Sequence, residues 1–210
     1  DLLYKILAVL FREDEARLVA LLPIRPFTPE KAAAIWNDDA VRARAILDGL
    51  ADRALLVDCD SEDADRPLYV LPPPMAGFFE FSMMRIRDDI DQKALAELFY
   101  QYLNVEEDFV RELFTNGETQ LGRVFVQEPA LSAENALHVL DYERASAVIE
   151  SASHMAVGTC YCRHKMEHMG RACDAPKNIC MTFNTSAASL SKHGHARLID
   201  KVEGHDLLQQ

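Results

Sequence analysis

Four cysteines, Cys160, Cys162, Cys173 and Cys180, fall in the last quarter of the 210-residue chain. Thiolate sulfur is the soft donor that iron-sulfur clusters and zinc both prefer, and four such donors complete either a cluster or a tetrahedral zinc site. The spacing is Cys-x-Cys, ten residues, Cys, six residues, Cys. It follows neither the closely repeated Cys-x-x-Cys runs of ferredoxins nor the paired Cys-x-x-Cys of zinc ribbons, so by itself it indicates a metal without choosing one. Burial of four reduced thiols is the plainer alternative, but two cysteines separated by one residue point in divergent directions. Arg163, His164, Lys165, His168 and Arg171 surround the cysteines. Positive charge favours thiolates and offsets the charge that four of them bring to a cluster. Arg163, His164 and His168 are therefore read as supporting residues around the ligands. His164 and His168, four apart, could also ligate zinc from one face of a helical turn. Cys59 stands apart, in the apolar run Ala54 to Cys59, and reads as a packed strand residue.

The elements that must position these residues follow from hydrophobic periodicity. Ala145, Val148, Ile149, Ala152, Met155 and Ala156 mark one face of a helix from Asp141, with Gly158 placed to end it. The polar stretch that follows, 157–183, has no sustained apolar period and reads as a loop organised by its ligands. Near the start of the chain, two helices are expected at Leu2 to Phe11 and Glu13 to Leu22. A third, begun by Thr28 and Pro29, runs to Trp36, and a fourth is capped by Asp38 or Asp39 and runs to Asp52. Two short apolar runs, Ala54 to Val57 and Leu68 to Leu71, flank an acidic turn and suggest a hairpin. Helices followed by a hairpin predict a winged helix over residues 1–72. The proline run Pro72 to Pro74 marks the boundary to a second, helical domain over 73–210, which carries the cysteine-rich metal loop. The fold class is thus mainly α with small β elements. The aromatic and methionine pattern from Phe78 through Tyr102, extended by Phe109, Val110, Leu113 and Phe114, reads as core.

At the cysteine block a family resemblance enters. Val157-Gly-Thr-Cys-Tyr-Cys-Arg163, then Gly170-x-x-Cys173-Asp-Ala-Pro176-x-x-x-Cys180-Met-x-Phe183, resembles bacterial and archaeal 4Fe-4S ferredoxin-type iron-sulfur binding proteins. The segment Pro73 to Phe81, Pro-Pro-Met-x-Gly-Phe-Phe-Glu-Phe, is similar to theirs as well. The resemblance covers most of the chain. It implies a winged-helix-like start, a 4Fe-4S cluster, and a ferredoxin-like part downstream with repeated Cys-x-x-Cys runs, which this sequence lacks.

Composition narrows the function. Apolar residues make up 49% and charged residues 27%, as in a soluble globular protein, and no repeat or low-complexity tract is present. The longest apolar stretches fall well short of the roughly 20 residues that span a bilayer, so a cytoplasmic protein without a membrane partner is expected. A net charge of −12 opposes nucleic-acid phosphates. Arg42, Arg44 and Arg53 are available near the fourth helix, but Asp38, Asp39, Asp48 and Asp52 share it, so DNA is not an expected partner. No Gly-rich phosphate loop, nucleophile elbow or His-Glu-x-x-His helix occurs, and no catalytic constellation is identified. The expectation is a 4Fe-4S protein that passes single electrons to a redox partner or to a ferredoxin domain beyond this sequence. A zinc-bound interaction module, or a regulator in which the winged helix reports the state of the cysteines, is the alternative.

Overall fold

A computed structural model describes residues 1–59, 67–106, 109–111 and 144–210. The fold is mainly helical with two small antiparallel sheets. Helices α1 (Leu2–Leu10), α2 (Glu13–Val19), α3 (Pro29–Trp36) and α4 (Ala40–Ala51) precede a hairpin of β1 (Val57–Cys59) and β2 (Leu68–Val70). Capping explains most of these starts. Asp1 accepts from the Leu3 amide at 2.9 Å, Thr28 from Lys31 at 3.3 Å ahead of Pro29, and Asp39 from Val41 at 2.7 Å. The expected turn between the hairpin strands falls largely on residues 60–66, outside the described residues.

Pro74–Phe78 forms a π-helical turn that runs into the short α5 (Phe79–Phe81), and α6 (Gln92–Tyr100) continues as a second π turn over Gln101–Val105. This segment is core, as its aromatic pattern predicts. Phe79 and Phe99 are fully buried with ring centroids 5.0 Å apart, and Met83 and Met84 belong to the same buried cluster. Phe109 stacks on Tyr102, whereas Leu113 and Phe114 lie outside the described residues. Apolar residues from both sides of the expected boundary at residue 72 join one buried cluster, from Ile6 and Leu50 through Phe79 and Phe99 to Tyr161 and Leu190.

The C-terminal part departs from the sequence expectation in two places. The helix expected to reach Gly158 is α7 (Ala145–Ser151), and Met155–Thr159 is a strand, β3. Its expected first residue, Asp141, lies outside the described residues. Strand β3 is central in a sheet of order β4-β3-β5, with β4 at Asn178–Phe183 and β5 at Arg197–Leu198. Met155, Ala156 and Val157 are all buried, and a strand covered on both faces shows a continuous apolar run that periodicity cannot tell from a helix. Gly158 is required by close packing instead of by a helix end. A Cβ there would lie 2.9 Å from Met84 Cε and 3.1 Å from the His195 carbonyl oxygen.

The second departure is α8 (Tyr161–His168), which occupies the middle of the expected loop. Tyr161, His164 and Lys165 are buried on it, at the i, i+3, i+4 spacing of an inward helix face. That face is composed of polar residues, so hydrophobicity alone does not reveal it. Lys165 donates to Asn104 Oδ1 at 2.8 Å, and His164 Nδ1 meets the Met83 carbonyl at 2.8 Å. Helix α9 (Asn184–Lys192) packs on β1 and β3, and α10 (Lys201–Leu207) packs on α7. Among the described residues, no helix is long and apolar enough to cross a membrane.

Candidate metal centre

Strand β3 delivers the chain to Cys160, which stands at the N-cap of α8. Its amide donates to the Lys177 carbonyl at 2.7 Å, and its carbonyl accepts from the His164 amide at 2.9 Å, so the backbone is held from both sides. Cys180 lies on β4 opposite Gly158, two residues before Cys160 in the antiparallel register. Cys162 is the second residue of α8. Cys173 sits on the exposed loop between α8 and β4, after Gly170, whose φ of 65° places it in the left-handed region. Three of the four cysteines thus sit on neighbouring elements, a strand end, a helix start and the adjacent strand, and the fourth is carried on a loop.

Local hydrogen bonds bear on the sulfurs. The Cys160 and Cys162 thiols share a hydrogen bond, which with the Arg163 and Cys162 backbone amides and the Arg163 charge outweighs burial and pushes the Cys160 pKa down to about 5. Cys160 is then a thiolate at neutral pH, and Cys162, whose own ionisation is pushed up first by that bond, keeps the shared proton. Burial raises Cys180 to about 11, with the Cys160 and Glu80 charges adding to it, while the Tyr161 amide donates to its sulfur. The Cys173 thiol is lowered by bonds from the Ala175 amide and the Arg163 side chain. Unsatisfied amides at the start of α8 therefore face the sulfurs of both Cys160 and Cys180, as expected where a helix N-terminus holds negative charge.

Arg163 alone of the expected basic ring bonds a cysteine side chain among the described contacts. It reaches Cys173 and also donates to the Pro176 carbonyl, tying the exposed loop to α8. Arg171 instead donates to the Tyr100 hydroxyl at 2.6 Å, and Lys177, which lies outside that ring, pairs with Glu167 at 2.6 Å. Lys165 bonds Asn104, although its charge is felt at Cys162. The His164 and His168 rings lie tilted against each other with centroids 5.0 Å apart, and His164 turns toward the Met83 carbonyl. Sequence reasoning overlooked two neighbours of the site. The Tyr161 side chain bonds Cys162 and is buried, and Glu80 brings negative charge toward Cys180. The only signal for Glu80 was a carboxylate placed between Phe79 and Phe81.

Among the described residues, no group of three or more His, Cys, Asp or Glu side chains already stands in the arrangement that holds a metal ion. The donor chemistry nevertheless fits a thiophilic centre: one thiolate is formed at neutral pH, a second sulfur shares its proton, and backbone amides face three of the four sulfurs. Cys59, half-buried in β1, belongs to the hairpin. No protein-family model, curated protein or solved structure matches the chain.

Proposed function

We propose that this chain is an iron-sulfur protein in which Cys160, Cys162, Cys173 and Cys180 hold a 4Fe-4S cluster, and that it transfers single electrons to a partner. The observation that carries this reading is the placement of Cys160 and Cys162 at the start of α8 and of Cys180 on β4 opposite Gly158, which puts three soft donors on neighbouring elements beside the amides of a helix N-terminus. Hydrogen bonds to sulfur stabilise the negative charge of a thiolate-ligated cluster and help to set its potential. A bound cluster would supply one-electron chemistry, which needs no substrate pocket. The chain supplies the holding of the sulfurs: the β3 end fixes Cys160, the cross-strand register fixes Cys180, and Arg163 keeps the Cys173 loop near α8. Ferredoxin-type proteins resemble this sequence over the same cysteine block, and that supports iron over zinc.

A zinc-stabilised interaction module is the second reading. It is favoured by the engagement of Lys177 and Arg171 away from the sulfurs, which leaves Arg163 as the main side-chain cation bonded there. Anaerobic purification followed by iron, sulfide and zinc analysis separates the two. About four iron and four sulfide per chain, with a visible charge-transfer band, is the expected result. One zinc and no sulfide would establish the second reading. Metal-free protein that gains no stability from either metal would overturn both.

A further inference from the structure

The charge balance of the chain makes one cleft stand out. With 34 carboxylate residues against 22 lysines and arginines, most arginines would be expected to meet a carboxylate, and Arg12, Arg44, Arg53 and Arg87 do. Arg85 does not. Its Nη1 donates to the His193 carbonyl at 3.2 Å, and no carboxylate pairs with it among the described residues. A guanidinium carries five N–H donors in a planar fork, so most of that capacity has no partner among the described residues, although Arg85 is half-buried and Asp89, paired with Arg87, feels its charge.

Arg85 lines an open cleft of ≈ 510 Å³, within the size range of small-molecule sites. The cleft exists for a topological reason. Strand β5 pairs with β3 only at Ala156 and Val157, and beyond that point the end of β3 is flanked by the segment through Met84, with the Thr159 amide donating to the Met84 carbonyl at 3.0 Å. The gap this leaves is walled by Arg85 and Ile86 on one side and by Thr159, Asn178, Gly194 and Arg197 elsewhere. No carboxylate residue lines it among the described residues. Arg197 contributes less than its charge suggests, because Glu203 engages its guanidinium. His195 adds no charge, since burial holds its pKa down to about 4.

We infer that this cleft binds a small oxyanion, a molecule carrying a carboxylate or phosphate group, with Arg85 as the residue that receives it. Charge-assisted, fork-shaped bonding to carboxylate or phosphate is what a guanidinium without a carboxylate partner offers most strongly. Thr159 and Asn178 supply short polar side chains on the same wall. Thr159 directly precedes Cys160, so the occupant lies beside the candidate metal centre, but the inference does not depend on a metal being there.

Isothermal titration of the full chain with inorganic phosphate and, separately, with succinate at low ionic strength tests it, with sodium chloride as the control for non-specific screening. At least one probe should bind saturably with one-to-one stoichiometry. Arg85→Gln should weaken that binding by about tenfold or more, the loss expected for one charge-assisted pair. Ile86→Glu provides a second variant if Arg85→Gln does not fold, because Ile86 is 85% exposed on the rim and its replacement adds repulsion without disturbing the core. It too should weaken binding by about tenfold. Absence of saturation with both probes overturns the inference, as does binding by the folded variants equal to that of the parent chain. Metal content is measured on the same preparation, so failure of the metal centre and failure of the cleft are read separately.

Discussion

Asp58 on β1 provides the sharpest test of how the two ends of the chain are joined. Its carboxylate is 8% exposed and accepts from Ser189 Oγ at 2.6 Å, from Lys192 Nζ and from His193 Nε2 at 3.1 Å. His193 Nδ1 in turn meets Asp52 at the end of α4. Burial raises the Asp58 pKa, but the bonds from His193, Lys192 and Ser189 outweigh it and hold the carboxyl well below the usual range. The same bond raises the His193 pKa. Asp58→Asn removes the charge that these groups share. Breaking a buried, hydrogen-bonded ion pair costs about 3–5 kcal/mol. Lys192 is largely exposed and adds little, so about 3 kcal/mol is expected, or a fall in Tm of roughly 6–12 °C for a domain of this size.

The pH dependence carries the sign of the mechanism. His193 has a folded pKa above its unfolded value of roughly 6.5, so its contribution is fully present below that value and is lost as pH rises through the folded pKa. Asp58 has a folded pKa below its unfolded value of roughly 3.9, so its contribution is present above that value and is lost as pH falls through the folded pKa. The full contribution of the pair therefore falls between about pH 4 and 6.5. Urea unfolding followed by circular dichroism, on the parent chain and Asp58→Asn at pH 5.5, 7 and 9, should show the stability gap narrowing toward pH 9. His193→Gln should flatten the decline between pH 6 and 9 in the parent curve. Parallel curves for parent and Asp58→Asn across this range would refute the coupling.

Two further outcomes follow from the site and its floor. Replacing any one of Cys160, Cys162, Cys173 or Cys180 by Ser should lower bound metal after anaerobic reconstitution and increase hydrogen exchange over residues 157–183, whereas Cys59→Ser should change neither; equal metal content in all five variants would remove the shared centre. Gly158→Ala places a Cβ 2.9 Å from Met84 Cε and 3.1 Å from the His195 carbonyl oxygen, so overpacking should cost about 1–3 kcal/mol in chemical denaturation; an unchanged midpoint would show that Met84 and the His195 backbone move aside freely.

Local signals in the sequence determined much of the first half of this fold. Thr28-Pro29 and Asp39 carry their own capping chemistry, so α3 and α4 begin close to where those residues predict, and the aromatic and methionine pattern around Phe79 and Phe99 is core. The cysteines could be named as ligand candidates because thiolate chemistry belongs to the residue itself. What they are arranged into was not legible, because it depends on long-range partners. Met155 to Thr159 becomes a strand because Asn178–Phe183 and Arg197–Leu198 pair with it on either side, and an apolar run has no period with which to announce that. Helix α8 hides its buried face because Tyr161, His164 and Lys165 are satisfied by a phenylalanine-rich core, the Met83 carbonyl and Asn104, all supplied from elsewhere in the chain. Asp58 and His193 are 135 residues apart, and only the packing of α9 against β1 brings them together. Each side chain could be read for what it is able to bond; which partner it met was decided by the tertiary structure, since a hydrogen bond or ion pair between distant residues has no local spacing to reveal it.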